Sequence, residues 1–165
     1  MNSFLPEMID KDELLTLIPH RNRMCLINRV NKYNLQENSI EAEYDITEDC
    51  LFYDFENSGV PAWVGFEFIA QSISAFIGIK DRINGLPVKE GFILGVSHMQ
   101  IDLPFFRKNS IITINSIELD NLDPIYIFDG KVSIDGKKVL AGKLTVMEVN
   151  SDHKKQINEH APKQS

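Results

Sequence analysis

The segment GVPAWVGFEFIAQSISAFIG, residues 59–78, decides the fold of this 165-residue chain. It is apolar almost throughout and carries a single carboxylate, Glu67. Pro61 is well suited to the first turn of a helix, and Gly85 is well suited to end one. The pattern therefore predicts a helix over residues 62–84. Because apolar residues occur on nearly every side of it, this helix must be wrapped by other parts of the protein.

Strand-like segments lie on both sides of the predicted helix. Alternation of apolar and polar residues, clearest in SIEAEYDI (residues 39–46), is typical of strands with one buried face. A short helix capped by Asp10 precedes them, and the pair Asp135–Gly136 indicates a tight hairpin. The other predicted strands are MCLINRVNKYNL, GFILGVSHMQIDL, SIITINSIEL, IYIFDGKVSI and KKVLAGKLTVMEV. Together the elements predict an α+β fold, a curled antiparallel sheet around a long central helix, with an open edge that favours dimerisation.

The composition argues against several classes of protein. The length predicts one domain, residues 1–150, and the polar final stretch, residues 151–165, is expected to be a disordered tail. A formal net charge of −7 argues against nucleic acid as a partner. Glu67 and Gln71 argue against a membrane span, because such groups are costly in lipid. The N-terminal residues lack the pattern of a secretory signal, so we expect a cytoplasmic protein.

No motif indicates a metal or a cofactor. Cys25 and Cys50 lack the spacing of a zinc site or a disulfide framework, and we expect two buried, reduced thiols. The sequence contains no GxSxG, no glycine-rich phosphate loop and no HExxH. Hydrolysis by a serine nucleophile, nucleotide use and zinc catalysis are therefore not predicted.

Glu67 is the leading candidate for chemistry. Glu67, Gln71, Ser74 and Gly78 share one helix face, because they recur at intervals of three or four residues. A carboxylate on an otherwise apolar helix would be desolvated and could act as a general acid. It could equally accept hydrogen bonds from backbone groups or from a neighbouring subunit. His20, in IPHRNRM, is a weaker candidate base, since a histidine in a turn more often caps backbone groups.

Three segments, in their order and spacing, resemble a known family. LIPHRNRMCLINRV (residues 17–30) is similar to the opening of the 3-hydroxyacyl-acyl-carrier-protein dehydratases of the hotdog fold. VPAWVGFEFIAQSISAFIG is similar to their central-helix motif, with Glu67 and Gln71 at matching positions. GFILGVSHMQIDLPFFRKNS resembles the strand pair that follows. The form of the first two motifs looks closest to the dehydratase-like proteins of aryl polyene and related polyketide clusters.

The resemblance implies a hotdog fold and a reaction that needs no cofactor. A (3R)-3-hydroxyacyl chain on an acyl carrier protein would lose water and give the trans-2-enoyl thioester. Glu67 would match the catalytic acid of the family. The substrate contacts implied at and near the start of the helix are Pro61, Ala62, Trp63 and Gln71.

The resemblance also exposes a departure at the catalytic base. In the family a loop histidine removes the α-proton, whereas this chain has Tyr53 at the matching position, followed by Asp54. Neither side chain is a strong base near neutral pH. Tyr53, Asp54 and His20 are therefore the candidates to work with Glu67, if necessary across a dimer interface.

Three functions stay open at this point. The first is an active dehydratase of fatty acid or polyene biosynthesis. The second is a non-catalytic hotdog subunit that supports an active homologue and docks the carrier protein. The third is a hotdog thioesterase in which Glu67 activates water. The resemblance implies a homodimer, or a hetero-oligomer with another hotdog dehydratase.

A carrier protein with its phosphopantetheine-linked acyl chain would need a basic docking surface, because acyl carrier proteins are acidic. Basic residues are in the minority on this chain, with 17 Lys and Arg against 24 Asp and Glu. The candidates for carrier docking form two clusters: Arg21, Arg23 and Arg29, and Arg107 with Lys108.

Overall fold

A computed structural model describes residues 5–149 of the chain as two helices and eight strands. The helices are α1 (Lys11–Leu14) and α2 (Gly65–Ile83). The strands are β1 (Arg29–Asn34), β2 (Ser39–Asp45), β3 (Gly59–Pro61), β4 (Glu90–Ile101), β5 (Phe105–Arg107), β6 (Ile111–Leu122), β7 (Ile125–Ile134) and β8 (Lys137–Val149). Short 3-10 turns span Asn22–Met24 and Ala62–Val64.

Six strands form one antiparallel sheet in the order β1-β2-β6-β7-β8-β4, while β3 and β5 pair separately. The large sheet curls around α2, whose aromatic side chains lie in the core. The rings of Phe76 on α2 and Phe128 on β7 contact edge to face, 6.3 Å between centroids, and both are fully buried. The α+β architecture predicted from the sequence, with a curled sheet around a central helix, is confirmed.

Local patterns account for most of these elements. Ile40, Ala42 and Tyr44 in β2 are buried, as the alternation predicts. The β7–β8 hairpin turns at Asp135 and Gly136, both with positive φ, which is the geometry of a tight two-residue hairpin. Asp10 caps α1 by accepting a hydrogen bond from the backbone N–H of Glu13 at 3.0 Å. The buried, free thiols predicted for Cys25 and Cys50 are also observed.

Some boundaries differ from those predicted. The central α-helix begins at Gly65, because residues 62–64 form a 3-10 turn, and it ends at Ile83. β1 begins at Arg29, whereas the predicted strand segment begins at Met24. The short strands β3 and β5 were not predicted. The predicted C-terminal tail, residues 151–165, lies outside the described residues.

The central helix is long and apolar enough to cross a membrane by length and composition alone. The segment Ala62–Ile83 has a mean hydropathy of 1.4 over its most apolar window. However, 72% of that window is buried inside the fold. The sheet therefore buries the apolar surface of this helix, which packs as the core of the domain.

Candidate active site

Glu67 is held in a defined orientation by the residue one turn further along α2. Gln71 Nε2 donates to Glu67 Oε1 at 2.9 Å and also to the backbone carbonyl of Met24 at 2.9 Å. Gln71 Oε1 accepts from the backbone N–H of Leu26 at 2.7 Å. Gln71 is fully buried, so this side chain ties the extended segment before β1 to the helix and fixes the Glu67 carboxylate.

His20 lies beside the same carboxylate oxygen. Its Nε2 is 3.9 Å from Glu67 Oε1, and its Nδ1 is buried with no hydrogen-bond partner within residues 5–149. Burial lowers the pKa of His20 below the usual 6.5, and this effect exceeds the opposing attraction of Glu67. The imidazole is therefore neutral near pH 7 and can accept a proton.

Glycine at position 78 explains why the His20 segment reaches the helix. A Cβ at Gly78 would lie 2.1 Å from the backbone carbonyl oxygen of Leu17, which is a prohibitive overlap. The backbone of Leu17, three residues before His20, packs directly on this bare stretch of helix. Gly78 thus sets the distance between the segment that carries His20 and the helix that carries Glu67.

Glu67 and His20 line one narrow cavity, of about 100 Å³, between α2, the segment before β1, and the paired ends of β4 and β8. The face of α2 that borders it carries Ala70, Ser74, Ile77 and Gly78 beyond Glu67. The helix face predicted from the sequence therefore borders this cavity, except that Gln71 points into the protein interior. The outer wall comes from β4 and β8 and includes Phe92, Ile93 and Met147.

Tyr53 and Asp54 are not among the residues that line this cavity. The Tyr53 ring packs edge to face on Phe55, 5.0 Å between centroids. Asp54 accepts from the backbone N–H and the side-chain amide of Asn57 at 3.0 and 2.8 Å, and these bonds lower its pKa. Within one chain the structure brings His20, and neither Tyr53 nor Asp54, to Glu67.

Two of the predicted substrate contacts around the helix start, Ala62 and Gln71, already hold hydrogen bonds within the chain. The backbone N–H of Ala62 donates to the carbonyl of Pro104 at 2.9 Å, so it is not available to a thioester oxygen. Gln71 is saturated by Met24, Leu26 and Glu67, so it positions the carboxylate instead of contacting substrate. Pro61 is half-buried and pairs with Phe105, and Trp63 is 61% exposed beside Phe52. These two remain predicted contacts.

The candidate carrier-docking residues fall into two groups, those that pair with carboxylates and those that do not. Arg29 donates to both oxygens of Asp45 at 2.9 and 3.0 Å and to Glu43 at 2.7 Å. Two carboxylates thus neutralise Arg29, which makes it a weaker candidate for carrier docking than the unpaired arginines. Lys108 pairs with Glu48 at 2.6 Å. Within residues 5–149, three of the predicted residues donate to backbone carbonyls and form no ion pair with a carboxylate: Arg21, Arg23 and Arg107. Arg107 also lies over the Phe105 ring, 6.0 Å from its centroid.

A group of ionisable residues at the other end of the cavity was missed by sequence reasoning. Asp81, Lys89 and Glu148 all line the cavity and contact one another. Asp81 continues the Glu67 face of the helix at the fourteenth position after it, which is a signal that the sequence does contain. Its partners could not be found, because they lie on a loop and a strand.

Comparison with known proteins gives the family of this chain. The family model described as ApeP-like, ApeP dehydratase, matches residues 13–158 of the chain. This chain belongs to the ApeP-like dehydratase family. The predicted relation to hotdog dehydratases near the aryl polyene group is thereby confirmed.

Relatives of this ApeP-like protein include enzymes named as dehydratases. The 3-hydroxyacyl-[acyl-carrier-protein] dehydratase FabZ of Chlamydia pneumoniae is 32% identical over 77 residues, 45% of this chain and 50% of FabZ. The match thus spans about half of that relative. The dehydratase heterocomplex ApeI:P from Xenorhabdus doucetiae is similar with a TM-score of 0.80 at 21% identity, over 94% of this chain and 98% of that chain.

Two more distant structures share the fold of the ApeP-like protein. An HP0420 homologue from Helicobacter felis has a TM-score of 0.63 at 11% identity, over 90% of this chain and 93% of that chain. A hypothetical thioesterase from Streptococcus pneumoniae, solved with coenzyme A, has a TM-score of 0.51 at 11% identity, over 73% and 84%. These likenesses confirm the hotdog fold.

Proposed function

We propose that this protein dehydrates (3R)-3-hydroxyacyl chains carried by an acyl carrier protein, with Glu67 as acid and His20 as base. The observation that carries the proposal is the placement of a neutral imidazole 3.9 Å from a carboxylate that Gln71 holds in position, in one cavity. Dehydration needs such an acid and base on one substrate. Membership of a dehydratase family supports the reaction class.

The proton balance of the reaction suits this pair. His20 Nε2 takes the α-proton, and the electron pair of the broken Cα–H bond forms the new double bond. The Cβ–O bond breaks, and the hydroxyl leaves as water with a proton from the Glu67 carboxyl group. The 3.9 Å between His20 and Glu67 exceeds hydrogen-bond distance, so a water molecule relays the proton from His20 back to Glu67 and restores both groups for the next cycle.

The test is turnover of a carrier-bound (3R)-3-hydroxyacyl thioester followed by mass spectrometry. Glu67→Gln and His20→Gln keep the size of each side chain, and each is expected to lower kcat by at least about a hundredfold. Tyr53→Phe and Asp54→Asn are the matched comparisons and should retain most of the activity. Activity that survives His20→Gln and is lost with Tyr53→Phe or Asp54→Asn would move the base to the loop and reject the His20 assignment.

A second candidate function is a supporting subunit without activity of its own. The observation that favours it is Tyr53 at the position of the family's loop histidine, remote from Glu67 within the chain. The same assay separates the two. Full activity of a mixed assembly after Glu67→Gln would show that catalysis belongs to the partner, whereas release of the free acid would indicate a thioesterase.

The proposal extends to a second hotdog subunit, the acyl carrier protein and a cytoplasmic location. The heterocomplex ApeI:P is a structural neighbour, which supports a hetero-oligomer of this chain with a second hotdog dehydratase. Arg21, Arg23 and Arg107, which pair with no carboxylate in the described part of the chain, are the proposed docking residues for the acidic carrier protein. Two buried free cysteines are compatible with a cytoplasmic location.

A further inference from the structure

Lys11, the first residue of α1, binds the extended segment that precedes β1, residues 24–28. Its Nζ donates to the backbone carbonyl of Cys25 at 3.2 Å, to the backbone carbonyl of Ile27, and to Cys25 Sγ at 3.0 Å. Lys11 is half-buried and forms no ion pair with a carboxylate within residues 5–149. The contacts of this ammonium group are thus two carbonyl oxygens and one thiol, all in the same segment.

Gln71 binds the same segment through its other backbone groups. Its side chain contacts the carbonyl of Met24 and the N–H of Leu26, whereas Lys11 contacts the carbonyls of the residues that alternate with them. In an extended chain the backbone groups of successive residues point to opposite sides, so the two side chains hold the segment from opposite sides. Because β1 begins only after this segment, two side chains and not a neighbouring strand set its position.

A half-buried ammonium group is a costly donor for carbonyl oxygens. Removing a charge from water costs free energy that a nearby opposite charge normally offsets. Lys80 shows the usual arrangement, since its Nζ donates to Glu118 Oε2 at 3.0 Å. Lys11 lacks such a carboxylate, but hydrogen bonds from a charged donor are stronger than those from a neutral one. The arrangement therefore holds the segment more firmly than a neutral side chain would.

We infer that Lys11 is a positioning residue for the Glu67 carboxylate. Lys11 fixes the segment, the segment fixes Gln71, and Gln71 Nε2 donates to Glu67 Oε1 at 2.9 Å. The inference rests on the proposed function, in which Glu67 is the acid. Lys11 is not among the residues that line the cavity, so its replacement disturbs the orientation of Glu67 and leaves the cavity walls in place.

The first test is turnover of a carrier-bound (3R)-3-hydroxyacyl thioester by Lys11→Met, which keeps the apolar stem of the side chain and removes its donors. Because a small displacement of a catalytic group slows the reaction, kcat is expected to fall at least about tenfold. KM should change by no more than about twofold, since substrate binding is not affected. Lys11→Arg restores a charged donor and should recover most of the lost kcat. A merely structural role would lower the Tm and leave kcat unchanged well below it.

A second measurement does not depend on turnover. Hydrogen exchange of the Gln71 side-chain amide is followed by NMR, with the signal assigned by its absence from Gln71→Leu. Gln71 is fully buried and its Nε2 donates to two oxygens, so this exchange should be slow in the wild type. Lys11→Met loosens the segment and should speed the exchange at least about tenfold, whereas Lys11→Arg should keep it slow.

Lys32→Met is the matched control, because it removes an equal charge from β1, where Lys32 pairs with Glu41 at 3.5 Å. It should match the wild type in both measurements. If Lys11→Met does not fold, Lys11→Gln replaces it, with the same expected directions. Slow exchange in the Lys11 variant, fast exchange with an unchanged kcat, or no recovery in Lys11→Arg would each overturn the inference. Absence of turnover in every protein, with the expected exchange pattern intact, would reject the proposed reaction alone.

Discussion

Glu67 Oε1 lies between two nitrogen atoms that act on it in different ways. Gln71 Nε2, at 2.9 Å, is a true hydrogen-bond donor, whereas His20 Nε2, at 3.9 Å, is beyond hydrogen-bond distance. The first contact fixes the carboxylate, and the second leaves a gap beside it that a reacting group can enter. The two contacts therefore predict different consequences when each side chain is replaced.

Gln71→Leu is expected to reduce both stability and activity. It removes the donor to Glu67 and leaves two backbone groups, the N–H of Leu26 and the carbonyl of Met24, without their partner. Because Leu26 and Gln71 are buried, the free energy of unfolding should fall by about 2–3 kcal/mol. Urea denaturation measures this. Ser74→Ala, on the same cavity, should change it by no more than about 0.5 kcal/mol, and an equal loss there would contradict the hydrogen-bond argument.

His20 predicts a pH dependence of stability. Because burial lowers its pKa in the folded protein below 6.5, the unfolded chain binds the proton first as the pH falls. The contribution of neutral His20 is therefore complete above pH 6.5 and is lost as the pH falls from 6.5 through the lowered folded-state pKa. Urea midpoints of the wild type and His20→Gln, compared from about pH 5 to 8, should converge toward the acid side. Parallel midpoints would show that His20 is not buried in its neutral form.

The sequence predicted part of this site for a local reason. Glu67 and Gln71 are one helical turn apart, so their contact follows from the helix alone. The proximity of His20 to Glu67 could not be predicted in this way. The two residues are 47 positions apart in the sequence, and only tertiary packing brings them together. The ion pair of Arg29 could not be predicted for a similar reason, since it depends on the register that places Arg29 opposite Glu43.

At the scale of elements, the segment before β1 is held to α2 by side-chain hydrogen bonds and not by strand pairing. Residues 24–28 were predicted as strand, yet Met24 and Leu26 give their backbone bonds to the Gln71 side chain. Apolar and polar residues do alternate in this segment, but it binds a helix. The periodicity of a sequence does not show which element the segment will contact. The longer strands β6, β7 and β8 were found because their patterns extend over ten residues or more. Strands of three residues, such as β3 and β5, are too short for such a pattern.

Gly78→Ala tests whether helix and segment must touch. The added Cβ would lie 2.1 Å from the Leu17 carbonyl oxygen, a backbone atom that cannot rotate away. The segment carrying His20 should therefore shift from Glu67, with a loss of about 1–3 kcal/mol in unfolding free energy and lower turnover. Gly95→Ala in β4 is the control, because nothing lies within 4 Å of its added Cβ. A Gly78→Ala protein as stable and active as the control would contradict the close packing.

At the scale of the whole molecule, the two edges of the large sheet differ. The β1 edge carries Arg29 and Lys32 and is partly covered by Ile9, which exchanges two backbone hydrogen bonds with Val30. The β4 edge pairs with β8 on one side, and its other side has no strand partner in the described part of the chain. Large apolar side chains on β4 are also exposed: Phe92, Ile93, Leu94, Met99 and Ile101. An apolar edge without lysine or proline favours pairing with another strand.

Leu94→Lys should therefore weaken assembly through the β4 edge. Leu94 is 52% exposed in one chain, and a lysine there would place a charge in the apolar contact that we propose for a second hotdog chain along β4. We expect at least a tenfold loss in the association constant, measured by sedimentation equilibrium over a dilution series. Leu122→Lys is the matched control, because Leu122 is 81% exposed but lies at the end of β6, away from this edge. Equal weakening by both variants would mean that charge, and not the β4 contact, governs assembly. An unaffected Leu94→Lys protein would place the interface elsewhere and leave the cavity beside β4 open to solvent.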